Sequence, residues 1–361
     1  LLSMPSKIVL KLPPTKQNPR NSEGAFVTLT DGRLLFAYCR FEGNSPADHA
    51  PCKLAVRYSC DGGKSWSSRD RIIVENEAKG KDKVNVMSPS LLRLQDGRIA
   101  LFYLRKDSPI DCHACMRTST DEGETWSDPT QCTQAPGYFI LNNDRVIQLR
   151  NGRLIMPLAF HRGKTMGRDI DWDPRSISMY LRSDDNGCTW HESDDWWALP
   201  VHSESGLQEP GAVELKRGKL YGWGRTDTGC QWEMRSNDGG VRWTPPQPSR
   251  FKSPLSPMSI KRIPETGDLL AVWNDYSNKW KLPKPTAGCK RTPLTLATSS
   301  DEGKTWRNAR LIETARNRGY CYIAIHFVEN TVLLAYSCGL GIDWGLTESC
   351  IRRITLDWIY H

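Results

Sequence analysis

The sequence predicts an all-β fold, a six-bladed β-propeller of four-stranded antiparallel blades, because two short turn patterns recur along the whole chain. The first pattern is Ser-x-Asp-x-Gly-x-x-Trp, in which Asp and Gly favour a tight turn and the Trp packs beneath it. We call it the tryptophan turn. Its copies are Ser59–Trp66, Ser119–Trp126, Ser183–Trp190, Ser236–Trp243 and Ser299–Trp306. A spacing of roughly 53 to 64 residues is typical of propellers and other radial arrays.

The second pattern is a hairpin turn followed by an apolar run, and it alternates with the first. Asp-Gly or Asn-Gly between apolar residues is a strong short-range hairpin signal. The copies are Asp31–Leu35, Asp96–Ala100, Asn151–Ile155, Arg217–Leu220, Thr266–Leu270 and, without Gly, Glu329–Leu333. Six hairpins in 361 residues predict six blades. Because a blade cannot bury its faces alone, we expect one domain over residues 1–361.

The two ends of the chain also read as strands. Lys7–Leu12 precedes the first hairpin, and Ile351–Ile359 alternates between apolar and polar residues. We expect both strands to lie in or next to the same blade and so to close the ring. The charged stretch Gly163–Arg175 and the proline-containing stretch Trp280–Lys290 are predicted to be insertion loops at the rim.

Composition excludes several functional classes. The chain has a formal net charge of +8, but its Lys and Arg residues are scattered, without the basic run and interleaved aromatics of a nucleic-acid-binding surface. No apolar run approaches the length of a transmembrane helix. A mildly basic surface suits an anionic small substrate.

The 12 cysteines are scattered and do not resemble a disulfide framework. With no secretion signal visible at the start, where Met4 is a plausible native first residue, they favour reduced thiols in a cytoplasmic protein. Cys112 and Cys115 form a close pair. A zinc site needs a second pair at suitable spacing, and the sequence offers none, so we expect no metal.

Charged residues flank the later hairpins in a recognisable order. Glu209 stands before the fourth hairpin and Arg225 follows it, at the end of Leu-Tyr-Gly-Trp-Gly-Arg. Arg291 begins Arg-Thr-Pro-Leu-Thr-Leu just before the last tryptophan turn. Together with the tryptophan turns, this order resembles the sialidase (neuraminidase) superfamily of six-bladed propellers, in which the turn is called the Asp-box or BNR repeat. The resemblance covers nearly the whole chain.

The resemblance implies a catalytic set without any metal or organic cofactor. Tyr322, which opens the last blade, would be the nucleophile, with Tyr320 as the less favoured alternative. Glu209 would be its base. Asp48 lies in the loop after Arg40 and would be the general acid and base.

The resemblance also implies a substrate, an acidic-sugar glycan or glycoconjugate that carries a terminal sialic acid. Arginines bind such a carboxylate through paired N–H donors, and the three expected here are Arg20, Arg225 and Arg291. Arg20 departs from the family pattern, since the family's arginine position falls near Ser22 and no Ile-Pro follows. Arg40 is expected to contact the substrate as well, and Glu42 is the alternative to Asp48.

A further polar cluster lies outside the family pattern. Asn142-Asn143-Asp144-Arg145 precedes the third hairpin. Asn143, Asp144 and Arg145 are candidates for contacts with a sugar hydroxyl, and the alternative is a polar loop with an Asp–Arg pair. Asn274-Asp275-Tyr276 is a weaker case of the same kind.

Two other functions stay open at the level of sequence. The first is a hydrolase or lyase for another acidic sugar, since Arg20 is displaced. The second is a glycan-binding propeller without catalysis, although binding alone requires no tyrosine–glutamate pair.

Overall fold

The computed structural model describes residues 5–166, 169–286 and 290–361. The first strands are β1 (Ser6–Leu12), β2 (Asn21–Thr28), β3 (Leu34–Phe41), β4 (Cys52–Ser59), β5 (Arg71–Val74), β6 (Asn85–Arg93), β7 (Ile99–Ser108), β8 (Asp111–Ser119) and β9 (Thr130–Gln131). The middle strands are β10 (Tyr138–Ile140), β11 (Ile147–Gln148), β12 (Leu154–His161), β13 (Gly163–Met166), β14 (Asp169–Trp172), β15 (Ile177–Ser183) and β16 (His191–Glu192).

The remaining strands are β17 (Gln208–Glu214), β18 (Leu220–Arg225), β19 (Cys230–Ser236), β20 (Gln247–Lys252), β21 (Ser259–Arg262), β22 (Leu269–Trp273), β23 (Leu294–Ser299), β24 (Arg307–Glu313), β25 (Cys321–Val328), β26 (Thr331–Ser337) and β27 (Ser349–Thr355). The described helices are short: the α-helix Leu356–Tyr360 and the 3-10 turns Lys216–Gly218 and Gly341–Asp343. In the ranges that the structure covers, no helix has the length and apolar character needed to cross a bilayer.

The strands form an all-β propeller arrangement, but the number of separate blades differs from the prediction. Four sheets have four strands each: β2 to β5, β17 to β20, β21 to β24, and β25-β26-β27-β1. The second and third hairpin repeats, which contain β6 to β12, β15 and β16, lie in one nine-stranded sheet. The prediction of six separate blades is therefore wrong. The reason is β10, whose Tyr138 pairs with Cys112 on one side and His161 on the other.

The prediction that the two terminal strands share a blade is confirmed. β1 pairs antiparallel with β27, from Ser6 opposite Ile354 to Leu12 opposite Ser349. The last residues differ from the predicted strand, because Thr355 caps a helical turn and its side chain accepts from the Trp358 amide. This blade has no tryptophan turn because its third and fourth strands come from opposite ends of the chain.

The tryptophan turns form as predicted, and the second copy shows the geometry. Asp121 accepts from Ser119 Oγ at 2.8 Å, from the Thr125 amide at 2.9 Å and from Thr125 Oγ1 at 2.6 Å. These hydrogen bonds, led by those from Thr125, lower the pKa of Asp121 to about 2. Trp126 packs against an apolar cluster between two sheets. The turns therefore fasten the outer strands of the blades.

All six predicted hairpins are present, and each joins the first two strands of its repeat. Apolar clusters fill the spaces between neighbouring sheets, including one that packs the sheet of the terminal strands against β2 to β5. Because the first strands face the centre, the polar residues near their starts converge there.

The two predicted insertion loops have different outcomes. The described part of Gly163–Arg175 contains the antiparallel strands β13 and β14, with Gly163 opposite Trp172, where the sequence predicted a loop. The described part of Trp280–Lys290 has no strand or helix, as predicted. Residues 167–168 and 287–289 lie outside the described ranges.

Candidate active site

Four central strands carry the same irregularity near their first residues. Glu23 in β2, Ser88 in β6, Glu209 in β17 and Tyr322 in β25 each stand at a break in register and have a positive φ between 45° and 59°. Such a backbone costs of order 1–3 kcal/mol for a non-glycine residue, and bulges of this kind often redirect a side chain beside an active site. The shared bulge therefore marks the candidate site.

Tyr322, Glu209 and Arg225 are in direct contact. Tyr322 Oη donates to Glu209 Oε1 at 3.2 Å and accepts from Arg225 Nη1 at 3.3 Å. The Arg225 guanidinium also lies 3.0 Å from Glu209 Oε2. Gln208 Oε1 accepts from Arg225 Nε at 3.0 Å and from Nη2 at 2.8 Å, which fixes the plane of the guanidinium. We call these residues, with Arg291, the tyrosine cluster.

Arg291 completes the tyrosine cluster. Its Cζ lies 5.5 Å from the ring centroids of both Tyr322 and Trp344. Its Nη1 lies 3.1 Å from the sulfur of Cys321. Its Nε is buried and has no hydrogen-bond partner in the described part of the chain. Arg291 thus brings a positive charge to the nucleophile candidate and keeps hydrogen-bonding capacity that other residues do not use.

The surroundings of the phenol keep it protonated. Burial and the negative charge of Glu209 raise the pKa of Tyr322 well above its usual value. Tyr322 therefore needs a base to become a nucleophile, and Glu209 is within hydrogen-bonding distance. Tyr320, the sequence alternative, is buried in an apolar cluster with its ring 6.2 Å from that of Tyr336.

A second group surrounds Arg20, and we call it the Asp48 cluster. Arg20 Nη1 lies 2.5 Å from Asp48 Oδ1, and Nη2 lies 3.1 Å from Glu23 Oε1. Ser88 Oγ donates to the other oxygen of Glu23. Burial is the main cause of a raised pKa at Glu23. Lys106 Nζ donates to the backbone oxygen of Asp48 at 3.1 Å.

The side chain of Asn85 holds the backbone of the Asp48 loop. Asn85 Nδ2 donates to the backbone oxygens of Asp48 and Ala50, at 3.0 and 2.7 Å, while the Asp48 carboxylate is 57% exposed. Desolvation would raise the pKa of Asp48, but the charges of Arg20 and Lys106 outweigh it and hold that pKa well below its usual range.

Asn143 connects the two clusters. Its Nδ2 donates to the backbone oxygen of Gly24 at 2.7 Å and to that of Tyr322 at 3.2 Å. These carbonyls lie beside the bulges of β2 and β25. One buried amide thus sets the separation between the strand that carries Glu23 and the strand that carries Tyr322.

Asp144 and Arg145 bind groups of neighbouring central strands, and their contacts with a substrate stay a prediction. Asp144 binds Lys261 Nζ at 2.7 Å and accepts from the Ile325 amide at 2.9 Å. Arg145 donates to Ser259 Oγ at 2.9 Å and to the Met258 backbone oxygen at 2.6 Å. Both cross-link the central strands.

A cavity of about 390 Å³ lies beside these residues. Asp144, Arg145 and Lys261 line it together with residues of the hairpin turns, while Tyr322 and Glu209 do not. Burial also lowers the pKa of Arg145 to about 10. The predicted Asp144–Arg145 pair is not among the ion pairs of the described residues, because Asp144 binds Lys261 and the Ile325 amide while Arg145 donates to Ser259 and Met258.

Arg40 binds carboxylates outside the two clusters, and its contact with a substrate stays a prediction. Its guanidinium binds Asp70 at 3.1 Å and Glu42 at 3.2 Å on the outer part of its blade. Glu42, the alternative acid, is held by Arg40 and by Lys53 at 3.2 Å. In the Asn274–Tyr276 stretch, Asp275 accepts from the Ser277 amide and from Trp280 Nε1, while Asn274 donates to the Pro293 backbone oxygen.

Sequence reasoning missed Glu23 and Lys106. A signal for Glu23 existed, because Glu23, Ser88 and Glu209 each stand nine residues before the glycine of their hairpin turn. That register places them at equivalent positions of three central strands. Lys106 offered no such signal, since it lies near the end of β7 among the polar residues Arg105 and Asp107.

The chain was compared with known proteins. Residues 37–334 match the BNR repeat-like domain family. A sialidase from Micromonospora viridifaciens is 26% identical over 353 residues, which cover 89% of this chain and 50% of that protein. A sialidase from Bacteroides fragilis is 26% identical over 220 residues, 58% of this chain and 37% of that protein. The chain thus spans half or less of the length of these relatives.

Solved structures share the fold. A Trypanosoma rangeli sialidase in complex with 2,3-difluorosialic acid aligns with a TM-score of 0.73 and 15% identity, covering 100% of this chain and 60% of that one. A protein of unknown function from Dyadobacter fermentans aligns with a TM-score of 0.69 and 18% identity, covering 97% and 99%. Since the family match extends over most of the sequence, the chain belongs to the BNR repeat-like domain family within the sialidase superfamily of β-propellers.

Proposed function

We propose that this protein is an exo-acting glycoside hydrolase that removes a terminal sialic acid, or a related nonulosonic acid, with retention of configuration. The observation that carries the proposal is the contact of Tyr322 Oη with Glu209 Oε1 at 3.2 Å and with Arg225 Nη1 at 3.3 Å. A tyrosine between a base and a cation is suited to nucleophilic attack.

In the first step, Tyr322 Oη bonds to the anomeric carbon while its proton passes to Glu209. Arg225 stabilises the negative charge that develops on the phenolic oxygen. The glycosidic C–O bond breaks, and Asp48 gives its proton to the leaving oxygen. In the second step Asp48 takes a proton from water and the water oxygen bonds to the anomeric carbon. The bond between Tyr322 Oη and that carbon breaks, and Tyr322 recovers its proton from Glu209. No residue is consumed.

The charges of the two clusters suit a substrate with one carboxylate. Four cations stand against three carboxylates, namely Arg20, Lys106, Arg225 and Arg291 against Glu23, Asp48 and Glu209. With all carboxyls ionised, one positive charge is in excess. A substrate carboxylate would neutralise it, and Arg225 and Arg291 are the arginines next to the nucleophile. A neutral tyrosine also avoids repulsion between an anionic nucleophile and that carboxylate.

The second candidate function is a hydrolase for a different acidic sugar, and one observation favours it. Arg20 is 1% exposed and already binds two carboxylates, which differs from an arginine that is open to a substrate. A hydrolase for another sugar acid fits this arrangement. A lyase would be distinguished by an unsaturated product that absorbs ultraviolet light.

The test is release of a fluorescent aglycone from an α-ketoside of N-acetylneuraminic acid, by the protein and by Tyr322→Phe. The matched control is Tyr320→Phe, which changes a buried tyrosine two residues away. We expect turnover in the wild type and in the control and none in Tyr322→Phe. Incubation with 2,3-difluorosialic acid should add one sugar to Tyr322, as seen by peptide mass spectrometry. Turnover that persists in Tyr322→Phe would contradict the proposed nucleophile.

A further inference from the structure

The guanidinium of Arg20 is almost fully occupied by the protein itself. Nε donates to Ser22 Oγ at 2.9 Å, and Nη1 donates to the Pro46 backbone oxygen at 3.1 Å and to Asp48. Nη2 donates to Glu23 Oε1 at 3.1 Å. An arginine has five N–H donors, so one is left.

Access to Arg20 is also closed. The side chain is 1% exposed, and the ring of Phe41 lies over the guanidinium with its centroid 4.5 Å from Cζ. A substrate carboxylate that binds through two parallel hydrogen bonds would have to displace Asp48 or Glu23. Arg291 is also buried, but it differs from Arg20 in having an Nε without a hydrogen-bond partner in the described residues.

Glu23 occupies Arg20 as an internal carboxylate. It is buried at the bulge of β2 and bonded to Ser88 on its far side. Arg20 in turn reaches the Asp48 loop at two points, the Pro46 backbone oxygen and the Asp48 carboxylate. The contacts therefore run from Ser88 through Glu23 and Arg20 to Asp48.

We propose that Arg20 and Glu23 are positioning residues that fix the Asp48 loop, and that Arg225 and Arg291 alone bind the carboxylate of the substrate. This inference rests on the proposed function for its substrate, but the role of Arg20 in the loop does not depend on turnover. In this arrangement Arg20 binds the Asp48 loop and does not bind the substrate.

The test compares Arg20→Met with Arg225→Met in two measurements. The first is hydrogen exchange of the backbone amides of residues 42–51 without ligand. The second is the Kd for N-acetylneuraminic acid by calorimetry. We expect Arg20→Met to speed exchange in 42–51 by about tenfold or more and to raise the Kd by less than about threefold. We expect Arg225→Met to raise the Kd by about tenfold or more and to leave exchange in 42–51 unchanged.

A double variant controls for misfolding of Arg20→Met. Arg20→Met leaves Glu23 buried without its cation, whereas the double variant Arg20→Met/Glu23→Gln removes both charges. The double variant should melt close to the wild type and show the same faster exchange in 42–51. Its kcat/KM should also extend to higher pH, because loss of the Arg20 charge lets the pKa of Asp48 rise.

Each outcome decides the inference. If the Arg20 variants weaken binding as much as Arg225→Met and exchange in 42–51 stays slow, Arg20 binds the substrate and the inference is overturned. If the wild type neither binds nor hydrolyses the sialic acid, the proposed function fails. The exchange measurement then decides alone, since slow exchange in both Arg20 variants rejects positioning and fast exchange supports it.

Discussion

The tryptophan turns and the candidate active site both depend on carboxylates that accept several hydrogen bonds, but the partners come from very different distances along the chain. Asp121 finds its partners within four residues. Glu209 meets Tyr322 across 113 residues of sequence, and Glu23 meets Ser88 across 65. A local set forms wherever its short pattern occurs, whereas the site exists only when several blades are assembled. The comparison separates what supports the fold from what performs chemistry.

The largest expected effect is on kcat when the proposed nucleophile, Tyr322, is replaced. Tyr322→Phe is expected to reduce kcat by at least about 100-fold, because phenylalanine cannot form the covalent bond. The melting temperature should stay within about 2 °C, since the ring and its packing remain. Initial rates with a fluorogenic sialoside and thermal denaturation measure both. A large fall in melting temperature would mean that the tyrosine cluster also supports the fold.

The next effect concerns the cation beside the nucleophile. Arg225→Lys keeps the charge but loses the paired N–H donors, and we expect kcat/KM to fall by about 10- to 100-fold. Arg40→Lys is the matched control, because Arg40 contacts Asp70 and Glu42 outside the site, and its kcat/KM should change by less than about twofold. Equal losses of kcat/KM in both variants would mean that Arg40 also acts in the site.

A third effect is a difference between the pH profile of kcat and that of kcat/KM. Asp48 must carry a proton to act as an acid, and its low pKa in the free protein makes kcat/KM fall early as pH rises. A bound substrate carboxylate would disfavour the Asp48 anion and raise that pKa. We therefore expect kcat to persist to higher pH than kcat/KM. Identical alkaline limbs would show that the substrate does not influence Asp48.

The smallest effect belongs to the tryptophan turns. The pKa of Asp121 is lowered to about 2, so its contribution to stability is complete above the usual aspartate pKa and is lost as pH falls towards 2. Asp121→Asn should lower the melting temperature at pH 7 and leave kcat unchanged. The loss of stability between pH 4 and pH 2 should also be shallower in the variant. A changed kcat would mean that the turns influence the site.

Sequence patterns predict the local parts of this fold because their causes are local. Each Asp and Gly of a turn acts on residues next to it, so the hairpins, the tryptophan turns and the terminal strands were predictable. The joining of two repeats into one sheet was not. It depends on the backbone of Tyr138 meeting Cys112 and His161, and no residue pattern signals that contact.

The same limit explains the outcome for the site. Tyr322, Glu209, Arg225 and Arg291 come together because they follow a family register. Asp144 and Arg145 were assigned to the substrate because they are polar and precede a hairpin. However, both residues lie outside the strands, and Asp144 has a positive φ of 56°, so the alternation of side chains along a strand does not give their direction. Glu23 was missed although its spacing to Gly32 equals that of Glu209 to Gly218.

The hydrogen bonds of Asn143 have a consequence for when activity can arise. The two carbonyls that it joins belong to Gly24 and Tyr322, near opposite ends of the described chain. A ribosome must release the strand that carries Tyr322 before both bonds can form, and long-range contacts of this kind fold slowly. The proposed active site should therefore assemble only after that strand has been made.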